Sequence, residues 1–229
     1  MRWPSGPDPF FPYLPENVYY KFPDPNQIDG DLVCVGGNLS PGMLISAYSQ
    51  GIFPWFNENE PVLWRSPDPR FVIFPQNLHV SRSMRKILNK KQFEISFDRD
   101  FEAVISGCAA TYRPGQGGTW ITGDMIAAYT ALHRLGKAHS AEAWQDGGLA
   151  GGCYGVILGS VFFGESMFFN RPNASKAAFL TLAESLFANG TAFIDCQTRT
   201  EHLAGLGATE LSRKDFLDLL KRHVRRTAS

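Results

Sequence analysis

The sequence has no Cys-x-x-Cys pair, and no histidine stands at ligand spacing beside any of its four cysteines, Cys34, Cys108, Cys153 and Cys196. A structural zinc site is therefore not expected. Three of the four lie in apolar runs and read as buried free thiols. No stretch approaches the roughly 18 consecutive apolar residues that a membrane helix needs. The N-terminus lacks a charged region followed by an apolar run and a cleavage site, so a cytoplasmic location is the expectation. Charge of one sign is also missing, with 22 basic against 22 acidic residues. That balance argues against a protein that coats nucleic acid non-specifically.

What is present fits an ordinary globular chain. Its 229 residues suffice for one large domain, or one domain plus a small cap. Aromatics are plentiful, with 18 Phe, enough to build a core and also line an apolar pocket. Two basic clusters stand out: Arg82, Arg85, Lys86, Lys90 and Lys91, then Arg213, Lys214, Lys221, Arg222, Arg225 and Arg226. Taken alone, each reads as a solvated helix face.

The first 30 residues are rich in proline and aromatics. Proline fixes φ and disfavours helix before it, so this arm is expected to be extended, laid over the body by Phe10, Phe11, Tyr13, Tyr19 and Tyr20. Ser40-Pro41 reads as a helix N-cap, and Gly51 as the stop. Residues 52–70 are broken by Pro54, Pro61, Pro67 and Pro69 and read as loop and short strand. A small N-terminal domain over 1–70 is expected, with a second domain over 71–229.

The second part has clearer periodicity. Phe93, Ile95 and Phe97 alternate as a strand. Asp98 or Asp100 can cap a helix carrying Phe101, Val104, Ile105 and Cys108. A glycine-rich loop (Gly115, Gly117, Gly118) precedes Trp120, and Thr122 can cap the next helix. Three strands follow over 139–144, 149–158 and 161–168, then a helix over 173–188 and a strand over 191–196. A short helix near 201–206, a strand near Leu211 and a last helix opened by Ser212 and Asp215 complete the chain. The fold class is α+β with a mostly antiparallel sheet, and the element order resembles that of Gcn5-related N-acetyltransferases. Yet the stretch from Phe168 to Lys176, where such an enzyme would cradle a pyrophosphate, holds no glycine, and Pro172 removes a donor. Acetyl-CoA is disfavoured as the acyl donor.

Several stretches together carry a more specific likeness: GGNLSPGMLISAYSQGIFPWF, SPDPR, TWIT, AYTALHRLGKAHSAEAW, GGCYGV, FGESMF, NASKAA, IDCQ and GATELSRKDF. Spread over residues 36–216, they resemble the leucyl/phenylalanyl-tRNA–protein transferases. The resemblance implies transfer of Leu or Phe, with Met as a further donor to consider, from aminoacyl-tRNA to the N-terminal Arg or Lys of a protein. The product is marked for degradation. It implies neither metal nor cofactor, because an aminoacyl ester is already activated.

By resemblance, Asp195 acts through Gln197 to draw a proton from the attacking amine, and Glu165 meets the amine or a cationic acceptor. Read from the residues alone, Asp195 and Gln197 would close a strand-to-loop turn, and Glu165 would equally sit in an internal ion pair, for example with Arg171 or Arg199, or meet a cationic acceptor. Glu142, another strand carboxylate, has a supporting role. Met167 and Ile194 are carried over for the donor side chain, with Leu182 and Leu186 on the following helix completing the pocket or serving as ordinary core. Trp55, Trp120 and Phe162 are carried over as surfaces for the 3′ adenosine, and the basic clusters become tRNA backbone contacts. The chain departs from the family pattern at Arg65, Phe169 and Cys153, which bears on the choice of donor. Other readings of the same residues are a tRNA-dependent transferase with a cell-wall peptide or small amine as acceptor, an acetyltransferase, and a tRNA-binding protein without catalysis.

Overall fold

From residue 5 to residue 31 the proline-rich opening forms neither α-helix nor strand, as its sequence dictates. The computed structural model describes residues 5–111 and 119–224. Before the first strand it holds one short 3-10 turn, Pro25–Gln27. Strand β1 (Leu32–Val35) leads to helix α1 (Pro41–Ser49), and strands β2 (Phe53–Pro54) and β3 (Leu63–Arg65) follow. The three strands form an antiparallel sheet in the order β1-β3-β2.

The arm is tied down largely through its backbone. Leu14 and Tyr20 donate their N–H groups to the hydroxyls of Ser40 and Ser46, and Phe22 donates to Gln50. Asn38 donates to the carbonyls of Phe11 and Pro12. At Gly42 the approach is so close that a Cβ would lie 2.4 Å from the Pro15 carbonyl oxygen. Phe11 and Tyr20 pack on the core, but Phe10, Tyr13 and Tyr19 are exposed, contrary to the expectation that all five aromatics hold the arm. Ser40 stands at the N-cap of α1 without a side-chain cap, because its hydroxyl serves Leu14 and Asn38 instead.

A larger sheet carries the rest. Its strands are β4 (Arg70–Ile73), β5 (Glu94–Phe97), β6 (Ala138–Gln145), β7 (Gly148–Leu158), β8 (Val161–Phe169), β9 (Phe193–Asp195) and β10 (Thr209–Leu211). They lie in the order β10-β4-β9-β8-β7-β6-β5, antiparallel except for β8 and β9. Strand β4 begins inside the proline-broken run and is buried along its whole length. The helices are α2 (Arg82–Asn89), α3 (Phe101–Ala110), α4 (Gly123–Arg134), α5 (Ala174–Ala188), α6 (Glu201–Gly205) and α7 (Arg213–His223). Asp100, Thr122 and Ser212 cap α3, α4 and α7 with their side chains, as their sequence positions predict.

Alternation along β7 divides the core. Tyr154, Val156 and Leu158 join α1, α3 and α4 in one apolar cluster, while Cys153 joins α5 in the other. Strand β8 would alternate likewise but for a bulge. Tyr154 pairs with Ser166 and Gly155 with Gly164, leaving Glu165 without an opposite number. Phe162 and Met167, an odd number of residues apart, thereby face the same side.

Candidate active site

The site lies where two parallel strands part. Strand β8 pairs with β9 only through Val161–Phe193, Phe162–Ile194 and Phe163–Asp195. Beyond that, β8 continues to Phe169 while β9 ends. A cavity of about 420 Å³ opens there. Gly164, Glu165, Ser166 and Met167 line it from β8, and Cys196, Gln197 and Thr198 from the turn after β9. Phe53, Pro54, Trp55 and Trp120 add an aromatic wall. Cys153, Phe162, Phe179 and Leu203 add apolar surface, and Thr200 and His202 polar groups.

Glu165 is the bulged residue, and its carboxylate reaches toward the α1 and α4 side. Tyr129 of α4 donates to its Oε2 at 3.2 Å, and Tyr48 of α1 bonds to Tyr129 and to Glu165. Its Oε1 is buried with no hydrogen-bond partner. Burial pushes the carboxyl up to about 7, with the two tyrosine hydrogen bonds pulling the other way. Both tyrosines are pushed well above their ordinary range, first by burial and then by the negative charge of Glu165.

Asp195 is fully buried and forms a two-pronged pair with Arg70, at 2.8 Å from Nε and 2.6 Å from Nη2. Arg70 also donates to the Gly51 carbonyl, and its guanidinium stacks over the rings of Phe53 and Phe216. Asp195 Oδ1 accepts the backbone N–H of Gln197 at 3.0 Å. Gln197 takes a left-handed φ of 57° and leaves Nε2 buried and unpartnered. His202 Nε2 is likewise buried without a partner, and burial together with Lys176 pulls the imidazole below its usual range.

The turn after β8 cannot hold a pyrophosphate as an acetyl-CoA loop does. The N–H groups of Asn170 and Arg171 are both spent on the Ala150 carbonyl, and Pro172 has none.

Family models agree with the motifs. The leucyl/phenylalanyl-tRNA protein transferase model matches residues 72–221, and that of its N-terminal domain matches residues 37–68. A leucyl/phenylalanyl-tRNA–protein transferase of Anaeromyxobacter sp. (strain Fw109-5) is 53% identical over 93% of this chain and 90% of its own length. One from Hahella chejuensis is 50% identical over 95% of this chain and 93% of its own. The chain belongs to the leucyl/phenylalanyl-tRNA–protein transferase family. Among solved structures, a GCN5-related N-acetyltransferase from Kribbella flavida aligns with a TM-score of 0.41 and 11% identity, over 76% of this chain and 62% of its own.

In this transferase the structure gathers Trp55, Trp120, Phe162, Glu165, Met167 and Gln197 around one cavity. Asp195 stands behind the wall and touches Gln197 through its backbone. Ile194 is buried in the second core cluster. Leu182 lies in that cluster too and Leu186 packs against it, so α5 presents Phe179 to the cavity in their place. Glu142 is buried away from the cavity, accepting from Ser140, Ser96 and the Arg99 backbone. Neither Arg171 nor Arg199 pairs with Glu165; the partners are the tyrosines. Cys108, Cys153 and Cys196 are buried thiols outside any disulfide and Cys34 is half-buried.

Sequence reasoning missed Arg70, Tyr48 and Tyr129, which hold the two carboxylates. Their one local signal is a large polar side chain inside an apolar run. The basic clusters diverge. Arg82, Arg85, Lys86, Lys90 and Lys91 are all exposed on or beside α2. Arg213 is buried, its guanidinium donating to the carbonyls of Ile28, Gly30 and Ser66. It is a strap between α7 and the N-terminal segment, not a surface contact. Lys214 and Lys221 pair with Asp218. Arg225, Arg226 and the glycine-rich loop lie outside the described residues. Arg65 pairs with the exposed side of Asp31 and lies over Trp55, itself part of the cavity wall. Among the described residues no helix is long and apolar enough to cross a membrane.

Proposed function

We propose that this cavity binds the aminoacylated 3′ end of a tRNA together with an acceptor's N-terminus and joins the two. The family's reaction transfers Leu or Phe from aminoacyl-tRNA to N-terminal residues of proteins. In our reading the acceptor begins with Arg or Lys, Met is a third donor, and the added residue marks the protein for degradation in the cytoplasm.

One observation carries the reading. A hydrogen-bond acceptor, Glu165 Oε1, and a donor, Gln197 Nε2, stand buried and unpartnered on a cavity with aromatic and apolar walls. Leaving such groups unmet costs about 1–3 kcal/mol each, so their natural partners are substrate atoms.

The chemistry follows from that pair. The acceptor's α-amine attacks the ester carbonyl, forming the N–C bond, and the C–O bond to the ribose then breaks. Glu165 takes the proton from the amine, in place of the Asp195–Gln197 route that the resemblance implies, because both Asp195 oxygens are already met by Arg70. Its value of about 7 stands close to the roughly 7.7–8.0 of an α-amine, where proton transfer is efficient. The ribose oxygen leaves and is protonated in turn. Gln197 Nε2 donates to the oxygen on which charge develops. Asp195 positions Gln197 through its backbone. Cys153, Phe162, Met167 and Phe179 receive the apolar donor side chain, and Trp55 and Trp120 offer stacking faces to the terminal base, typically worth about 1–3 kcal/mol per base. Phosphates farther along the acceptor stem meet α2.

The test is transfer of label from Leu-, Phe- or Met-tRNA to peptides beginning with Arg or Lys, with Ala-started and N-acetylated peptides as controls. Label on the free Arg or Lys peptides alone is expected. Failure with every donor, from protein that binds aminoacyl-tRNA, defeats the reading. Charge reversal at Arg82, Arg85 and Lys86 is expected to weaken tRNA binding and flatten its salt dependence. An unchanged slope would make α2 a solvated face.

A further inference from the structure

Among the polar side chains of the cavity that the transfer reaction leaves unused is an imidazole. His202 follows β9 on α6, and its Nε2 is shut off from water with no partner in the protein. A buried ring nitrogen with nothing to bond is costly unless a ligand supplies the partner. Burial and the nearby charge of Lys176 keep the imidazole neutral at pH 7. A neutral ring can carry its single N–H on Nε2. Thr198 and Thr200 stand beside it on the same wall.

We propose that His202 binds the 3′-terminal nucleotide of the tRNA, its Nε2 donating to an oxygen of the terminal sugar–phosphate. The inference rests on the reading of the cavity as an aminoacyl-tRNA site. The positive field of Lys176 around the ring suits a sugar–phosphate and repels an acceptor that brings a second cation. Glu165, which suits that amine, stands on β8, whereas His202 stands on α6. The aromatic faces of Trp55 and Trp120 line the same space, so a nucleotide stacked there brings its sugar–phosphate to the polar wall rather than into the apolar pocket.

Two variants and two probes test this. His202→Phe keeps a ring and removes the donor; His202→Gln keeps a donor. The probes are a 3′-aminoacylamino-adenosine, whose amide is not transferred, and the same molecule with a 5′-phosphate. His202→Phe is expected to raise KM for aminoacyl-tRNA about tenfold, with kcat and KM for the acceptor peptide unchanged. His202→Gln should recover most of the loss. If the oxygen belongs to the phosphate, His202→Phe weakens only the phosphorylated probe; if it belongs to the ribose, both weaken alike. Wild-type protein that binds neither probe would overturn the reading of the cavity itself. Wild-type binding with both probes undiminished in His202→Phe overturns the role of His202 alone. So does a rise confined to the KM of the acceptor.

Discussion

Asp195 and Glu165 flank the parting of β8 and β9, and the protein treats them in opposite ways. Asp195 is closed off. Both its oxygens meet Arg70, and one also accepts from the Gln197 backbone. Glu165 is left open. Two tyrosines reach one side of it, and its other oxygen meets nothing. The first arrangement spends all its hydrogen bonds on holding β4, β9 and the following turn together. The second leaves capacity for something not yet bound. Burial alone therefore does not distinguish a structural acid from a chemical one; the state of its lone pairs does.

The sharpest way to break this comparison is Asp195→Ala. It strands the Arg70 guanidinium in a fully buried position, and unfolding free energy is expected to fall by about 3–5 kcal/mol in denaturant titration. A loss under about 1 kcal/mol would mean that the pair does not hold the strands. Next comes Glu165→Gln, expected to leave the fold intact and lower kcat by about 10²–10⁴-fold. Stability carries its own signature. The folded value of about 7 lies above the ordinary 4.5, so the native state binds more protons between those pH values, and ionisation of Glu165 erodes stability as pH rises through that window. Melting of Glu165→Gln against wild type should therefore shift in the variant's favour from pH 4.5 to pH 8. A constant difference would place the carboxyl in an ordinary environment. The smallest effect is that of Tyr129→Phe. Its hydrogen bond lowers the Glu165 value, so removing it should move the acid limb of the rate profile to higher pH, with about 1 kcal/mol lost in stability. A limb that stays put would show that the Tyr129 hydrogen bond does not tune the carboxyl.

Much of the fold was legible because its signals are local. The caps at Asp100, Thr122 and Ser212 and the succession of strands β5–β8 are read within a few residues, and the structure has them. Strand β4 was lost among prolines, since its place in the sheet comes from partners far along the chain. The candidate site divides the same way. Motifs brought Glu165, Gln197, Trp55, Trp120, Phe162 and Met167 to one cavity. Arg70 lies 125 residues from Asp195, and Tyr129 lies 36 from Glu165, so nothing nearby in sequence announces either partnership. Leu182 and Leu186 were apolar at helical spacing, which says that they face a core but not which one. Only the packing of α5 turns Phe179 to the cavity.

The bulge in β8 makes chain length itself part of the site. Deleting Glu165 would remove the acid and leave the ladder regular. With one residue fewer, Gly164 and Ser166 would follow each other opposite Gly155 and Tyr154, Phe162 and Met167 would be an even number of residues apart and keep their common side, and Phe168 would keep its seat against Gly107. The faces on either side of the bulge are thus those of an unbroken strand, and the extra residue is free to carry the acid. Glu165, the proton acceptor we propose, occupies the position where the strand has one residue more than its neighbour can pair.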